Sequence, residues 1–130
     1  MFLVDTYVWI ESFRRGSPLD LPAIVHFDEI VTCLPVIQEV LQGFNAEHAY
    51  RTAREAMYSF PIVESPLRRE IFEDAANLFR AARRNGYTVR SGVDCLIAAC
   101  ALRHHLTVIH RDRDFDAIAL VSHLEVKNIA

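Results

Sequence analysis

A chain of 130 residues with 52% hydrophobic content can bury one proper core and is too short for two ordinary domains, so a single domain over 1–130 is expected. No apolar run reaches the roughly 18 residues of a membrane span, and the opening MFLVDTYVWI lacks the basic leader and small-residue cleavage site of a secretion signal, so a cytoplasmic protein with no membrane partner is expected. The net charge of −3 argues against a bulk-charge nucleic-acid binder, but Lys127 is the only lysine among 14 basic residues, and the guanidinium of the others grips phosphate through paired hydrogen bonds.

The apolar run at 2–4 ends on Asp5 and passes into a helical pattern from Thr6 to Arg15, a strand feeding a helix. After the Gly16-Ser17-Pro18 break, a short helical stretch is predicted around Leu21 to Phe27, then a buried β-branched strand at 30–34. Pro35 suits the first turn of a helix running to Gln42 and stopped by Gly43, and Asn45 can cap a further helix carrying Tyr50, Ala53, Ala56 and Met57. Phe60 to Val63 is the next strand. The longest helix follows Pro66 and runs to about Asn85, with Gly86 at its C-terminal end. Ser91 opens a helix through Ala101, Thr107 to Ile109 form a strand, Asp112 to Leu120 a last helix, and Leu124 to Val126 an edge strand.

Short apolar strands alternating with helices imply an α/β domain of three layers, helices on both faces of a short central parallel sheet of four to five strands. Ligands of such sheets collect beyond the carboxyl ends of the strands. Asp5 and Asp112 fall there by sequence position. Each acid also has a plain structural explanation. Asp5 could cap the helix after it, Ser91 and Asp94 fit an S-x-x-D capping pattern, Asp112, Asp114 and Asp116 sit at the positive end of the last helix, and Glu39 could lie at the edge of an amphipathic helix.

Capping does not account for the surroundings of Asp94. VDCLIAACAL is apolar around its whole circumference, which predicts a buried helix, and no basic residue of that helix lies one turn from Asp94. A buried carboxylate needs a partner. A divalent cation shared with other carboxylates supplies one, and an all-oxygen ligand set favours magnesium or manganese over zinc. Cys33, Cys95 and Cys100 are odd in number, lack CxxC spacing and sit in apolar stretches, which predicts buried free thiols.

FLVDTYVWI, PVIQEV around Glu39, RSGVDCLIAA around Asp94 and HRDRDFDAIA near the end together resemble the ordered acidic motifs of PIN-domain ribonucleases, and among them the VapC toxins of prokaryotic toxin–antitoxin pairs. The resemblance covers the full chain. It implies a metal-dependent endoribonuclease in which Asp5, Glu39, Asp94 and Asp112 are the catalytic, metal-binding quartet, with Asp114 competing for the fourth place and Asp116 ranked last. Thr6 matches the small hydroxyl residue after the first acid. Gly92 and Val93 depart from the small or hydroxyl-bearing residue that many relatives carry before the third acid. The resemblance further implies an RNA substrate, Mg2+ or Mn2+ as cofactor, a homodimer, and a small VapB-like antitoxin lying over the acidic groove and delivering an arginine to the carboxylates.

Arg111 and Arg113 flank the last acids and are candidates for holding RNA phosphate. His110 is at most a supporting neighbour, and His104 and His105 fit a helix end better than a metal site. Trp9, Ile10 and Phe13 read as core or interface. The alternatives are a catalytically inactive PIN-like binding module, which would keep the fold without the metal, a dehalogenase-type phosphatase, which lacks its second acid because Tyr7 stands there, and a receiver domain, which lacks its early acid pair and late lysine.

Overall fold

The computed structural model describes residues 1–130. In chain order the strands are β1 (Phe2–Val4), β2 (Ile30–Cys33), β3 (Ile62–Val63), β4 (Thr107–His110) and β5 (Glu125–Asn128). The helices are α1 (Thr6–Ser12), α2 (Leu34–Gln42), α3 (Glu47–Tyr58), α4 (Arg69–Arg84), α5 (Gly92–Arg103) and α6 (Arg113–Leu120). Every strand pairing is parallel, and the order across the sheet is β3-β2-β1-β4-β5. Parallel neighbours need crossovers, and right-handed ones put helices on opposite faces when the winding direction reverses. Accordingly α1, α2 and α3 pack in one layer and α4, α5 and α6 in the other.

Both faces of the inner strands are covered, so these strands carry consecutive apolar residues with no alternation: Leu3 and Val4, Ile30 and Val31, Val108 and Ile109 are all buried. Helix α5 lies between the sheet and α4. Its run of Cys95, Ile97, Ala98, Ala99, Cys100 and Ala101 is buried on all sides, as its uniform hydrophobicity predicts, and Ala75 and Ala82 of α4 allow close approach. All three cysteines are free and buried.

Local differences from the sequence pattern have local causes. Helix α1 stops at Ser12 because Phe13 caps it and turns its ring against Phe44 and Trp9, while the amide of Leu19 returns to the Glu11 carbonyl. The stretch from Leu21 to Phe27 is not one helix but two 3-10 turns, Leu21–Ala23 and Phe27–Glu29, separated where His26 takes an extended conformation. Asn45 lies one position too early to cap α3, whose cap residue is Ala46. Gly86, at φ +82°, is in the left-handed conformation that ends α4.

The winding reverses between β1 and β4, which are adjacent and hydrogen-bonded in register from Phe2 opposite Thr107 to Val4 opposite Ile109. That reversal opens a crevice at the carboxyl ends of these two strands. The acids predicted to matter follow them directly.

Candidate metal centre

Asp5 is the first residue past β1, and its amide donates to the carbonyl of Ile109 at 2.9 Å, so strand pairing itself holds the residue at the seam. It occupies the cap position of α1 without capping: its side chain accepts no hydrogen bond, and both carboxylate oxygens are buried without a partner. The residue is 1% exposed. Burial raises its pKa from 3.8 to about 7, the charges of Glu39 and Asp112 push the same way, and the nearby Thr6 and Tyr7 amides oppose the shift only in part.

Asp94 lies in the first turn of α5 and is 7% exposed. Ser91 stands at the cap position and makes no side-chain cap bond, so the expected S-x-x-D cap does not form. The Asp94 pKa rises from 3.8 to about 8, first through burial and then through the charges of Asp5, Asp112, Asp114 and Glu39. Residues up to 109 positions apart in the chain thus act on one carboxylate. Glu39, on α2, is partly exposed, and its Oε1 accepts the Thr6 hydroxyl at 2.8 Å.

The turn into α6 is built differently. Asp112 caps that helix, accepting the Asp114 amide at 2.9 Å and the Arg90 guanidinium at 2.8 Å. Both bonds fall on Oδ1, leaving Oδ2 without a protein donor. Asp114 is buried; its Oδ2 accepts the Arg90 backbone amide at 3.0 Å and lies 3.5 Å from Arg90 Nε, while its Oδ1 has no partner. One oxygen each of Asp94, Asp112 and Asp114 lies within 4.8 Å of the others. Asp116 is engaged elsewhere, accepting from Asn128 at 2.9 Å and lying 3.3 Å from His110 Nε2. His110 is fully buried, and its Nδ1 accepts the Asp112 amide at 3.0 Å. Burial lowers its pKa. The ring is therefore neutral with its proton on Nε2, a prop under the backbone of Asp112.

Arg111 and Arg113 are exposed and form no ion pair within the chain. With Tyr7, Arg90, Asp112 and Asn128 they line an open cleft of about 570 Å³ beside the acids. Arg90 is the part that the sequence pattern did not reveal, whereas His110 takes the supporting place that was the most expected of it. Arg90 sits in an extended stretch with no periodicity from which to read a face, and its carboxylate partners lie 22 and 24 residues away.

The donor set suits a hard divalent cation. Every candidate ligand is a carboxylate oxygen, three converge, three buried oxygens of Asp5 and Asp114 lack donors, and no basic group neutralises Asp5 or Asp94.

Residues 2–121 match the family model described as "PIN domain". The chain is 36% identical over 130 residues to Ribonuclease VapC11 of Mycobacterium tuberculosis, covering 96% of each, and equally similar to a VapC ribonuclease of Mycobacterium bovis. Among solved structures, VapBC2 from Rickettsia felis, bound to a promoter DNA fragment, superposes with a TM-score of 0.77 at 13% identity, covering 99% of this chain and 98% of that one. VapBC-5 from Mycobacterium tuberculosis, a member of the VapBC toxin–antitoxin family, superposes with a TM-score of 0.72 at 22% identity, covering 98% of each. The acid-lined crevice thus sits in a fold shared with these proteins, and the chain belongs to the PIN-domain family, with the VapC ribonucleases among its relatives.

Proposed function

We propose that this protein is a divalent-metal-dependent endoribonuclease, the toxin half of a toxin–antitoxin pair, whose whole length from 1 to 130 forms one PIN domain. The observation that carries the reading is the convergence of Asp94, Asp112 and Asp114 within 4.8 Å, with Asp5 close enough to raise the pKa of Asp94. The 36% identity to VapC ribonucleases supports the activity class.

In this reading Asp5, Asp94, Asp112 and Asp114 hold Mg2+ or Mn2+, and Glu39 completes the acidic set. A cation bound there supplies positive charge beside the scissile phosphate and increases the acidity of attacking water. Thr6 orients Glu39 by donating its hydroxyl to Glu39 Oε1 at 2.8 Å. Asp112 is held by the Asp114 amide it caps and by His110 on its own amide, and in the metal-free chain its side chain also accepts the Arg90 guanidinium. Arg111 and Arg113, free of intrachain carboxylates, bind phosphates of the RNA on either side of the cleavage point, with Tyr7 lining the same cleft. A VapB-like antitoxin as partner is supported by the VapBC assemblies among the structural relatives, and a homodimer by the family resemblance. No helix of the chain is long and apolar enough to cross a membrane.

The test is cleavage of cellular RNA by purified protein with Mn2+, with Mg2+ and with EDTA, with an Asp94→Asn variant alongside. Cleavage that needs the cation and falls at least about a thousandfold in the variant, equivalent to roughly 4 kcal/mol of lost transition-state stabilisation, is expected. Cleavage that survives EDTA, or an Asp94→Asn protein of undiminished activity, overturns the assignment. Sequencing the RNA ends produced only by the wild type identifies the substrate.

A further inference from the structure

Arg90 is the one basic side chain that reaches the acidic cluster, and it does so in two separable ways. Its backbone amide donates to Asp114 Oδ2 at 3.0 Å, a contact that any residue at position 90 other than proline can make. Its guanidinium reaches Asp112 Oδ1 at 2.8 Å and stands 3.5 Å from Asp114 Oδ2, so a single positive charge is shared between two of the three carboxylates that converge. Asp94, the third of these carboxylates, and Asp5 nearby have no such partner. The Arg90 side chain is 55% exposed and lies in the cleft that also holds Arg111 and Arg113, so it can leave the carboxylates for water, or for an anion in that cleft, without being dug out of the core.

We propose that Arg90 is a built-in counter-cation of this centre: its guanidinium occupies Asp112 and Asp114 in the metal-free protein, competes with the incoming divalent cation for them, and is released into the arginine-lined cleft when the cation binds. This rests on the metal-binding reading above. Two positive groups cannot share the Asp112 and Asp114 carboxylates at no cost, since like charges a few ångströms apart repel even in a water-rich dielectric. The freed guanidinium then stands beside Arg111 and Arg113, where an RNA phosphate is the anion that can receive it in a bidentate contact. A merely bracing Arg90 would act oppositely, because removing a brace loosens the ligands and weakens the metal.

The sign of the effect decides between the two. Calorimetric titration of Mn2+ into metal-free wild type, Arg90→Gln and Arg90→Lys is expected to give Arg90→Gln a dissociation constant about five- to tenfold lower than wild type, the scale of one unit charge removed nearby. Arg90→Lys, which keeps the charge, is expected to stay near wild type. In EDTA, Arg90→Gln is expected to melt below wild type, because Asp112 and Asp114 have lost their counter-charge, and the gap closes when Mn2+ is added. Equal or weaker Mn2+ binding by Arg90→Gln, or Arg90→Lys binding as tightly as Arg90→Gln, overturns the proposal and leaves the metal centre standing. Absence of Mn2+ binding by wild type removes the metal reading and this inference with it.

Discussion

Asp5 and Asp94 enter the crevice from the end of β1 and the start of α5 with no basic residue beside them, whereas Asp112, Asp114 and Asp116 on the turn into α6 each have a donor from the same chain. The two groups meet at the carboxyl ends of β1 and β4, where the sheet reverses its winding, and they solve the same problem in opposite ways. On the α6 turn, Arg90, His110, Asn128 and the Asp114 amide hold the carboxylates in place before any ligand arrives. At β1 and α5 the backbone holds the residues and leaves the carboxylates electrostatically unsatisfied. The α6 turn is thus organised by its own donors, while the other half leaves its carboxylates without counter-charge, and in the proposed reading that half is where a divalent cation gains most.

The largest consequence of that difference is a pH dependence of stability. Asp5 and Asp94 have pKa values raised from 3.8 to about 7 and about 8 in the folded protein. Between their unfolded and folded values the native state binds more protons than the unfolded one, so the stability these two groups contribute falls as pH rises through that window. Without metal, stability is expected to drop on the order of several kcal/mol between pH 4 and pH 8 from this cause. A bound cation holds the ionised form and flattens the slope. Melting curves in EDTA and in Mn2+ at pH 5, 6, 7 and 8 check this, with Asp94→Asn in EDTA expected to show a shallower decline than wild type. A metal-free melting temperature that stays level or climbs toward pH 8 would erase the distinction between the two halves.

The unsatisfied half was largely legible in the sequence, and the donors of the other half were not. An acid ending a run of apolar strand residues, and an acid inside a segment apolar on every side, are anomalies that local pattern exposes, and Asp5 and Asp94 are such anomalies. The strand and helix succession likewise follows from periodicity, because each inner strand is buried on both faces and α5 on its full circumference. What periodicity could not give was which of the competing caps forms. Asp112 caps its helix while Asp5 and Ser91 do not, and the outcome depends on whether tertiary neighbours leave the side chain free to bend back. Arg90 was illegible for a related reason: its partners are set by how α5 and α6 dock, and nothing in the segment Tyr87 to Arg90 marks a face. Helix ends near Phe13 and Leu21 to Phe27 depended in the same way on aromatic packing and on one extended residue, His26.

A smaller effect tests how far the unsatisfied half is organised at all. Its one side-chain hydrogen bond runs from Thr6 to Glu39, linking the start of α1 to α2. Thr6→Val keeps the shape and removes the hydroxyl, so the fold is expected to survive while Glu39 loses its orientation. A loss of roughly 10–100-fold in metal affinity or cleavage rate is expected, the usual scale for groups that orient a ligand. Thr6→Ser, which restores the donor, is expected to recover most of it. If Thr6→Val cleaves RNA at the wild-type rate, Glu39 does not need to be held, and its place in the acidic set falls away.

The smallest effect is expected where the sequence offers an acid that the structure turns aside. Asp116 shares the acidic turn with Asp112 and Asp114, yet its carboxylate is taken up by Asn128 at 2.9 Å and lies near the neutral His110 ring at 3.3 Å. It is partly exposed, so its contacts are weakened by water, and pairs of this kind contribute about 0–1 kcal/mol. Asp116→Asn keeps the volume and an acceptor for Asn128 while removing the charge. The expected change is about twofold or less in cleavage rate, with unaltered Mn2+ affinity. The comparison with Asp112→Asn is the informative one: the two acids lie four positions apart around one helix start, and only Asp112 belongs to the converging set. A severe loss in Asp116→Asn would mean that the charge behind His110 governs the backbone of Asp112, and the α6 turn would then depend on that acid as much as on Arg90.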